Sequence, residues 1–442
     1  MIKIGFVSLG CSKNLVDTEV MLRVLHDKGY ELTPDEGEAE VIVVNTCGFI
    51  ESAKRESIDN IIDLARLKTE GKCKFIIATG CLVERYREEV IKELPEVDAL
   101  IGVGSISRIA EAVDALYRGE QFIAFDDKES CKLGGDRVLT TDEHTAYLKI
   151  AEGCDNRCSY CAIPLIRGKL RSRSIEDIVR EAKELEQLGV KELNLIAQDT
   201  TRYGLDLYGE YSLARLVREI TARTDIPWIR LLYCYPDKIT DELIAELRDN
   251  PRLLKYMDIP VQHISDKVLR LMNRHGSSAL IRENIKKLRD NVPGIVLRTT
   301  AMVGFPGEGE EEFCELCEFV KEARFEHFGA FTYSAEEGTE AYGITEGIVD
   351  EQTKQDRYDI LMQTQLTVIE ELNEREIGNT LEVLCDGYDT IAEIYYGRSY
   401  KDAPDVDGRV YFKSKKRLRG GDIVKVKISE ALDYDLVGEA IF

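Results

Sequence analysis

Short apolar runs along this chain alternate with longer stretches in which apolar residues return every three or four positions. The two periods predict strands and amphipathic helices in turn. In the first part, strands are expected over 2–9, 41–45 and 75–79. A helix is expected over 16–28, ended by Gly29, then another over 52–68 and a helical stretch from Glu84. Strand–helix alternation at this spacing means a parallel sheet with crossover helices. Residues 126–145 are polar and glycine-containing, and read as a linker.

A second block repeats the alternation six times, with strands near 147–151, 192–197, 228–234, 255–261, 295–304 and 327–333. After Ser174, an N-cap residue by type, Ile175, Ile178, Val179, Ala182 and Leu185 form a helical stripe. Six βα units are two short of a closed eight-stranded barrel, so an open, partial barrel is expected. A long helix over 350–376 leads out of it. From residue 380 the period falls to two, with strands over 381–385, 391–396, 409–412, 422–428 and 436–441. Asp407-Gly408 and Gly420-Gly421 supply turns. Five short strands suggest a small antiparallel barrel of the OB-like class. The expected fold class is thus α/β: a parallel α/β domain over 1–130, a partial (β/α)6 barrel over 140–376, and a small antiparallel β-barrel over 377–442.

Charge narrows the partners. Lys and Arg number 59 against 82 Asp and Glu, a net charge of −23 over 442 residues. Such a surface disfavours non-specific binding to nucleic acid and suits a basic protein better. No apolar run approaches the roughly 20 residues of a membrane span, so no membrane partner is expected. Twelve cysteines without a secretory signal argue against a disulfide scaffold and for the reducing cytoplasm.

The cysteines carry the chemistry. Cys154, Cys158 and Cys161 form a CxxxCxxC run with Gly153, Asp155 and Asn156 around them, a loop rather than a buried helix face. Three thiolates in one loop can hold three irons of a 4Fe–4S cluster and leave the fourth open for reaction. A structural zinc loop is the alternative, but such sites more often pair two CxxC units. Cys11, Cys47 and Cys81 are far apart in sequence, yet each follows one of the first three strands beside a glycine: Gly10, Gly48 and Gly80. The C-terminal strand ends of a parallel sheet lie side by side and bind ligands. A second three-cysteine cluster is therefore expected, against the alternative of three ordinary core cysteines. Cys314 and Cys317 have the spacing of a CxxC redox pair, but they fall in a helical stretch over 311–320 at i and i+3, where core packing is expected; Cys73, Cys131, Cys234 and Cys385 receive no role.

Two three-cysteine sets, a partial barrel carrying CxxxCxxC and a terminal small β-barrel resemble the radical S-adenosylmethionine methylthiotransferase family, over essentially the whole chain. The resemblance implies an auxiliary cluster on Cys11, Cys47 and Cys81, a radical cluster on Cys154, Cys158 and Cys161, and a TRAM module at the end. The segment Val7-Ser8-Leu9-Gly10-Cys11-Ser12-Lys13-Asn14-Leu15-Val16-Asp17 is most similar to the branch that modifies ribosomal protein S12. The run Gly397-Arg398-Ser399 with Asp402-Ala403-Pro404-Asp405-Val406-Asp407-Gly408 is similar to that branch as well. The implied cofactors are two 4Fe–4S clusters and S-adenosylmethionine, which gives a 5′-deoxyadenosyl radical able to open an unactivated C–H bond. The implied reaction places a methylthio group on the β-carbon of an aspartate of S12, with electrons from a flavodoxin- or ferredoxin-type protein.

For cofactor binding the resemblance and the strand ends point to Tyr160, Gln198, His263, Arg298, Gly304 and Gly307. A structural histidine, a structural ion pair and a plain strand-to-helix turn are the ordinary readings of His263, Arg298 and residues 304–308. A transfer-RNA adenosine methylthiotransferase is the alternative, supported by the basic run Lys413, Lys415, Lys416, Arg417 and Arg419. From residue 377 onward, however, 10 basic residues meet 12 acidic ones, so transfer RNA is not the expected partner. Asp402, Asp405 and Asp407 are instead expected to attract a basic ribosomal protein.

Overall fold

The computed structural model describes all 442 residues, which gather into two compact units. The first holds Met1–Thr140, Lys149–Arg173 and Ser334–Tyr342. Its sheet has six parallel strands in the order β2-β1-β3-β4-β5-β6: β1 (Lys3–Ser8), β2 (Glu31–Leu32), β3 (Val41–Thr46), β4 (Phe75–Gly80), β5 (Ala99–Ile101) and β6 (Phe122–Ala124). The periodic reading missed β2, β5 and β6, because two- and three-residue strands are too short to display a period.

Strand β3 is buried on both faces. Val41 and Val43 join the cluster under the helices Ser12–Asp27 and Ile109–Tyr117, whereas Ile42 and Val44 pack with Ile61 and Leu64 of the helix Glu51–Ala65. Full burial of each such side chain is worth about 1.5–3 kcal/mol, which pins the register. Ser8 pairs with Asn45, and Asn45 with Thr79. The three strands therefore end at one level.

The second unit holds Thr141–Leu148, Ser174–Tyr333 and Gly343–Phe442. Its strand β7 (Thr145–Lys149) precedes a two-residue pair that belongs to the first unit, β8 (Ala151–Glu152) with β9 (Arg171–Ser172). The sheet continues with β10 (Glu192–Ile196), β11 (Trp228–Leu231), β12 (Leu253–Asp258), β13 (Val296–Val303) and β14 (His327–Thr332), in the order β14-β13-β12-β11-β10-β7. It is an open sheet of six strands. Ser174 caps the helix Ile175–Gln187, its side chain accepting from the Asp177 N–H. Cys314 and Cys317 lie in the helix Glu310–Ala323, but Cys314 is exposed and Cys317 half-buried. The helix is as expected and the core packing is not: the apolar stripe of Phe313, Leu316, Phe319 and Val320 faces inward instead.

The helix Glu351–Glu374 leads to a closed barrel, β15 (Thr380–Asp389), β16 (Ile394–Ser399), β17 (Val410–Lys413), β18 (Ile423–Leu432) and β19 (Asp435–Ile441). Four of its pairings are antiparallel, and the β17–β19 pairing is parallel. Buried charges hold this barrel to residues at the N-terminal ends of the sheet strands. Arg398 bonds Glu192, Asp386 and Thr145, and Arg230 bonds Glu192 at 2.9 Å and the Tyr400 carbonyl at 2.8 Å. The Asp402, Asp405 and Asp407 group expected as a docking patch is used here as well. Tyr147 donates to Asp405 at 2.8 Å, Tyr256 to Asp407 at 2.7 Å, and the buried Asp402 accepts from Ser399 at 2.7 Å. Asp402 and Asp407 are thus turned inward as fasteners, against the expectation of a docking patch, while Asp405 stays exposed as it bonds Tyr147. Among all helices, none is long and apolar enough to cross a membrane.

Candidate active site: two cysteine sets in one unit

All six motif cysteines fall in the first unit. Cys11, Cys47 and Cys81 stand just past the level ends of β1, β3 and β4. Cys11 stands at the N-cap position of the helix Ser12–Asp27, at the positive end of its dipole. Ser57 clamps Cys47, bonding both its N–H and its carbonyl at 3.0 Å. Gly10, at φ +88°, brings two of the strand ends together: a Cβ there would lie 2.9 Å from the Cys47 sulfur. Burial pushes the Cys81 thiol up to about 12; Arg167 opposes that, while Cys11 and Cys47 add to it. Burial likewise raises Cys47, with Cys11 contributing. The three cysteines thus gather at one edge of the sheet. An all-sulfur donor set is the kind that holds an iron–sulfur cluster.

Cys154, Cys158 and Cys161 lie on the loop between β8 and the short helix Ile163–Arg167, all half-buried. The loop is closed by local bonds, from Cys154 N–H to the Gly168 carbonyl at 3.1 Å and from Cys161 N–H to the Cys158 carbonyl at 3.0 Å. Gly153 makes the turn at φ +78°, where a Cβ would sit 2.0 Å from the Lys169 carbonyl oxygen. The Ala341 N–H bonds the Ser159 carbonyl at 2.8 Å, so Ser334–Tyr342 braces the loop. Three thiol donors from one short, half-open loop fit a cluster with one open iron.

The two sets adjoin. Cys81 packs in a small apolar cluster with Ala162 and Ile166, and Ala162 is the neighbour of Cys161. Around them lies a buried charge network that the sequence did not reveal. Arg167 donates to Asp17 at 2.6 Å, Glu152 at 3.2 Å, Asn14 at 2.5 Å and the Cys81 sulfur at 3.3 Å. Lys149 pairs with Asp17 and with Glu152, the latter at 2.8 Å. Two cations balance two carboxylates, as burial demands. Asn14 is fixed through donation to the Leu9 and Thr46 carbonyls, at 3.0 and 2.9 Å. Asn14 and Asp17 lie inside the quoted 7–17 segment, but Arg167 closes a short apolar turn and reads there as an ordinary helix-end cation.

The expected cofactor positions divide between the units. Tyr160 is half-buried on the loop in the first. In the second, half-buried Gln198 follows β10. His263 is fully buried; its Nδ1 accepts from the Ser265 N–H at 3.0 Å, and its Nε2 lies 3.4 Å from Glu308. Glu308 also accepts from the Gly304 N–H at 2.9 Å and from Arg357 at 2.8 Å. Protein fills the space beside the glycines: a Cβ on Gly304 would meet Lys354 at 2.3 Å, and one on Gly307 would meet Leu271 at 2.7 Å. Arg298 requires a correction. It sits near the start of β13, paired with Asp258 at 3.1 Å and Asp407 at 3.3 Å, because the barrel carboxylate lies at that end of the strand.

Comparison with known proteins agrees with this architecture. Uncharacterized protein family UPF0004 matches residues 3–102, the Radical SAM superfamily residues 148–320, and the TRAM domain residues 377–441. The radical S-adenosylmethionine methyltransferase TsrM of Kitasatospora setae superposes with a TM-score of 0.55 at 14% identity, covering 74% of this chain and 72% of that one. The chain is 50% identical over 440 residues to the ribosomal protein uS12 methylthiotransferase RimO of Thermoanaerobacter sp. (strain X514), covering 99% of this chain and 100% of the relative. It is 51% identical over 440 residues to the protein of the same name from Caldanaerobacter subterraneus subsp. tengcongensis, with the same coverage. Two adjoining cysteine sets, an open six-stranded sheet and full-length identity of this order have one explanation: the chain belongs to the radical S-adenosylmethionine methylthiotransferase family.

Proposed function

We propose that this protein is the methylthiotransferase that modifies the β-carbon of an aspartate in ribosomal protein uS12. The observation that carries the reading is the packing of Cys81 against Ala162, one residue from Cys161, which puts the two cysteine sets side by side. We assign Cys154, Cys158 and Cys161 to a radical 4Fe–4S cluster and Cys11, Cys47 and Cys81 to an auxiliary one. When bound, these groups supply reductive cleavage of S-adenosylmethionine and an iron site for the sulfur that is transferred. The chain's own residues hold and shield that chemistry. Ser57 fixes the Cys47 backbone, Gly153 sets the loop, and Ile166 with Ala162 keeps water from Cys81.

Tyr160 remains our candidate cofactor contact in the first unit and Gln198 in the second. His263, Gly304 and Gly307 are better read as builders of the turn after β13, which Glu308 ties together. We keep the domains at 1–130, 140–376 and 377–442; each family match falls inside one of them. The electron donor in this reading is a low-potential flavodoxin- or ferredoxin-type protein, and the setting is the cytoplasm. The test offers the anaerobically reconstituted protein uS12 and transfer RNA together, with S-adenosylmethionine, sulfide and a reductant. A methylthio mass gain on the uS12 aspartate is expected. Modification of a transfer-RNA adenosine with uS12 untouched would overturn the substrate while leaving the family intact.

A further inference from the structure

Arg167 is 3% exposed and places four of its contacts on Asp17, Glu152, Asn14 and the Cys81 sulfur. Burying a guanidinium is costly unless its donors are matched. Its charge is already balanced, since Asp17 and Glu152 offset Arg167 and Lys149. A neutral thiol needs no such donor. A metal-bound thiolate does, because hydrogen bonds to cluster sulfurs stabilise the more negative, reduced state and orient the ligand. Arg167 also lies on the short helix Ile163–Arg167 that follows Cys161. One side chain therefore links the loop of one cysteine set to a ligand sulfur of the other.

We propose that Arg167 is a positioning residue of the auxiliary cluster: its Nη2–H bonds the Cys81 sulfur, holds that ligand in place and raises the cluster's reduction potential. Asp17 works against the second effect by partly neutralising the guanidinium. The proposal rests on the assignment of Cys11, Cys47 and Cys81 as cluster ligands.

The test uses the full chain carrying Cys154→Ala, Cys158→Ala and Cys161→Ala, reconstituted with iron and sulfide so that the auxiliary cluster alone is present. Stepwise reduction with dithionite is followed by electron paramagnetic resonance. At the parent's midpoint, Arg167→Gln should lower the reduced-to-oxidised ratio tenfold or more, a shift of about 59 mV for a one-electron couple. Arg167→Lys should shift the same way by less, since it keeps the charge and loses the fork. Asp17→Asn should shift the potential upward. In a Cys11→Ala/Cys47→Ala/Cys81→Ala background, Arg167→Lys should leave the remaining cluster's potential unchanged.

A structural role alone would not produce opposite signs at Arg167 and Asp17. An unmoved potential in Arg167→Lys and Asp17→Asn overturns the proposal, as does a shift of both in one direction. These two variants decide the matter even if Arg167→Gln takes up no cluster. If the parent of this series shows no iron–sulfur signal, the ligand assignment itself falls and the proposal with it; a cluster of unmoved potential sinks the proposal alone.

Discussion

The two cysteine sets reach similar chemistry by opposite routes. Cys154, Cys158 and Cys161 are neighbours in sequence, half-buried, and held by a loop whose closing bonds are local. Cys11, Cys47 and Cys81 become neighbours only because β1, β3 and β4 end at one level, and two of the three are buried. The first set depends on one loop and the segment that braces it, the second on the register of a whole sheet. The difference teaches where each is fragile: a backbone fault in the loop should remove one cluster only, whereas the dispersed set is as robust as the valine-rich core beneath it.

The sharpest break of the comparison removes each set whole. Substituting Cys154, Cys158 and Cys161 by Ala should lower bound iron from about eight to about four per chain, and abolish both S-adenosylmethionine cleavage and methylthiolation. Substituting Cys11, Cys47 and Cys81 should lower iron by the same amount and abolish methylthiolation, but leave reductive cleavage intact. Iron assay and product analysis check both. Cleavage lost in the second variant would mean that the sets do not act separately.

Backbone changes sharpen the contrast with smaller effects. Gly153→Ala forces a left-handed φ and a clash with the Lys169 carbonyl, strain of about 1–3 kcal/mol from the backbone conformation alone. It should cost the loop set its iron and spare the other. Gly10→Ala presses on the Cys47 side chain and should lower occupancy of the dispersed set only. Iron content of each variant, measured in the matching three-cysteine deletion background, separates the two. Equal loss from both sets in either variant would undo the distinction.

The smallest effect comes from the second unit, as a control. Burial pulls Glu192 and Asp386 upward, but Arg398 with Arg230, and His144 with Arg398, hold them below the ordinary values of 4.5 and 3.8. Carboxylates depressed in the folded state contribute stability that is complete above those values and fades as the pH falls past them. Acid should therefore loosen the barrel attachment below about pH 4, and the effect should be weaker in Asp386→Asn. Thermal melts between pH 3 and 7 follow this directly. At pH 7 the iron content of Asp386→Asn should match the parent.

Much of the fold was legible because its signals are local. Val41–Thr46 and its companion strands declare themselves by composition, and Ser174 by its place before a helical stripe. The glycine beside each dispersed cysteine pointed to the strand ends. Asp402 and Asp407 were misread for a physical reason: charge in a sequence does not tell whether water or a buried hydroxyl will meet it. Arg298 was misplaced similarly, since a strand residue can serve either end of the sheet, and Asp407 settled which.

By itself, the sequence determined the alternation of strands and helices, the CxxxCxxC loop and the candidacy of three strand-end cysteines. Covalent spacing or a single period is enough for each. Tertiary structure alone decided that Cys81 rests on Ala162, and that Arg167 joins Asp17, Asn14 and Cys81. Those partners lie between 86 and 153 residues from Arg167 along the chain. No local pattern encodes such a meeting: a buried cation finds its acceptors only after the sheet has brought their strands and helices together.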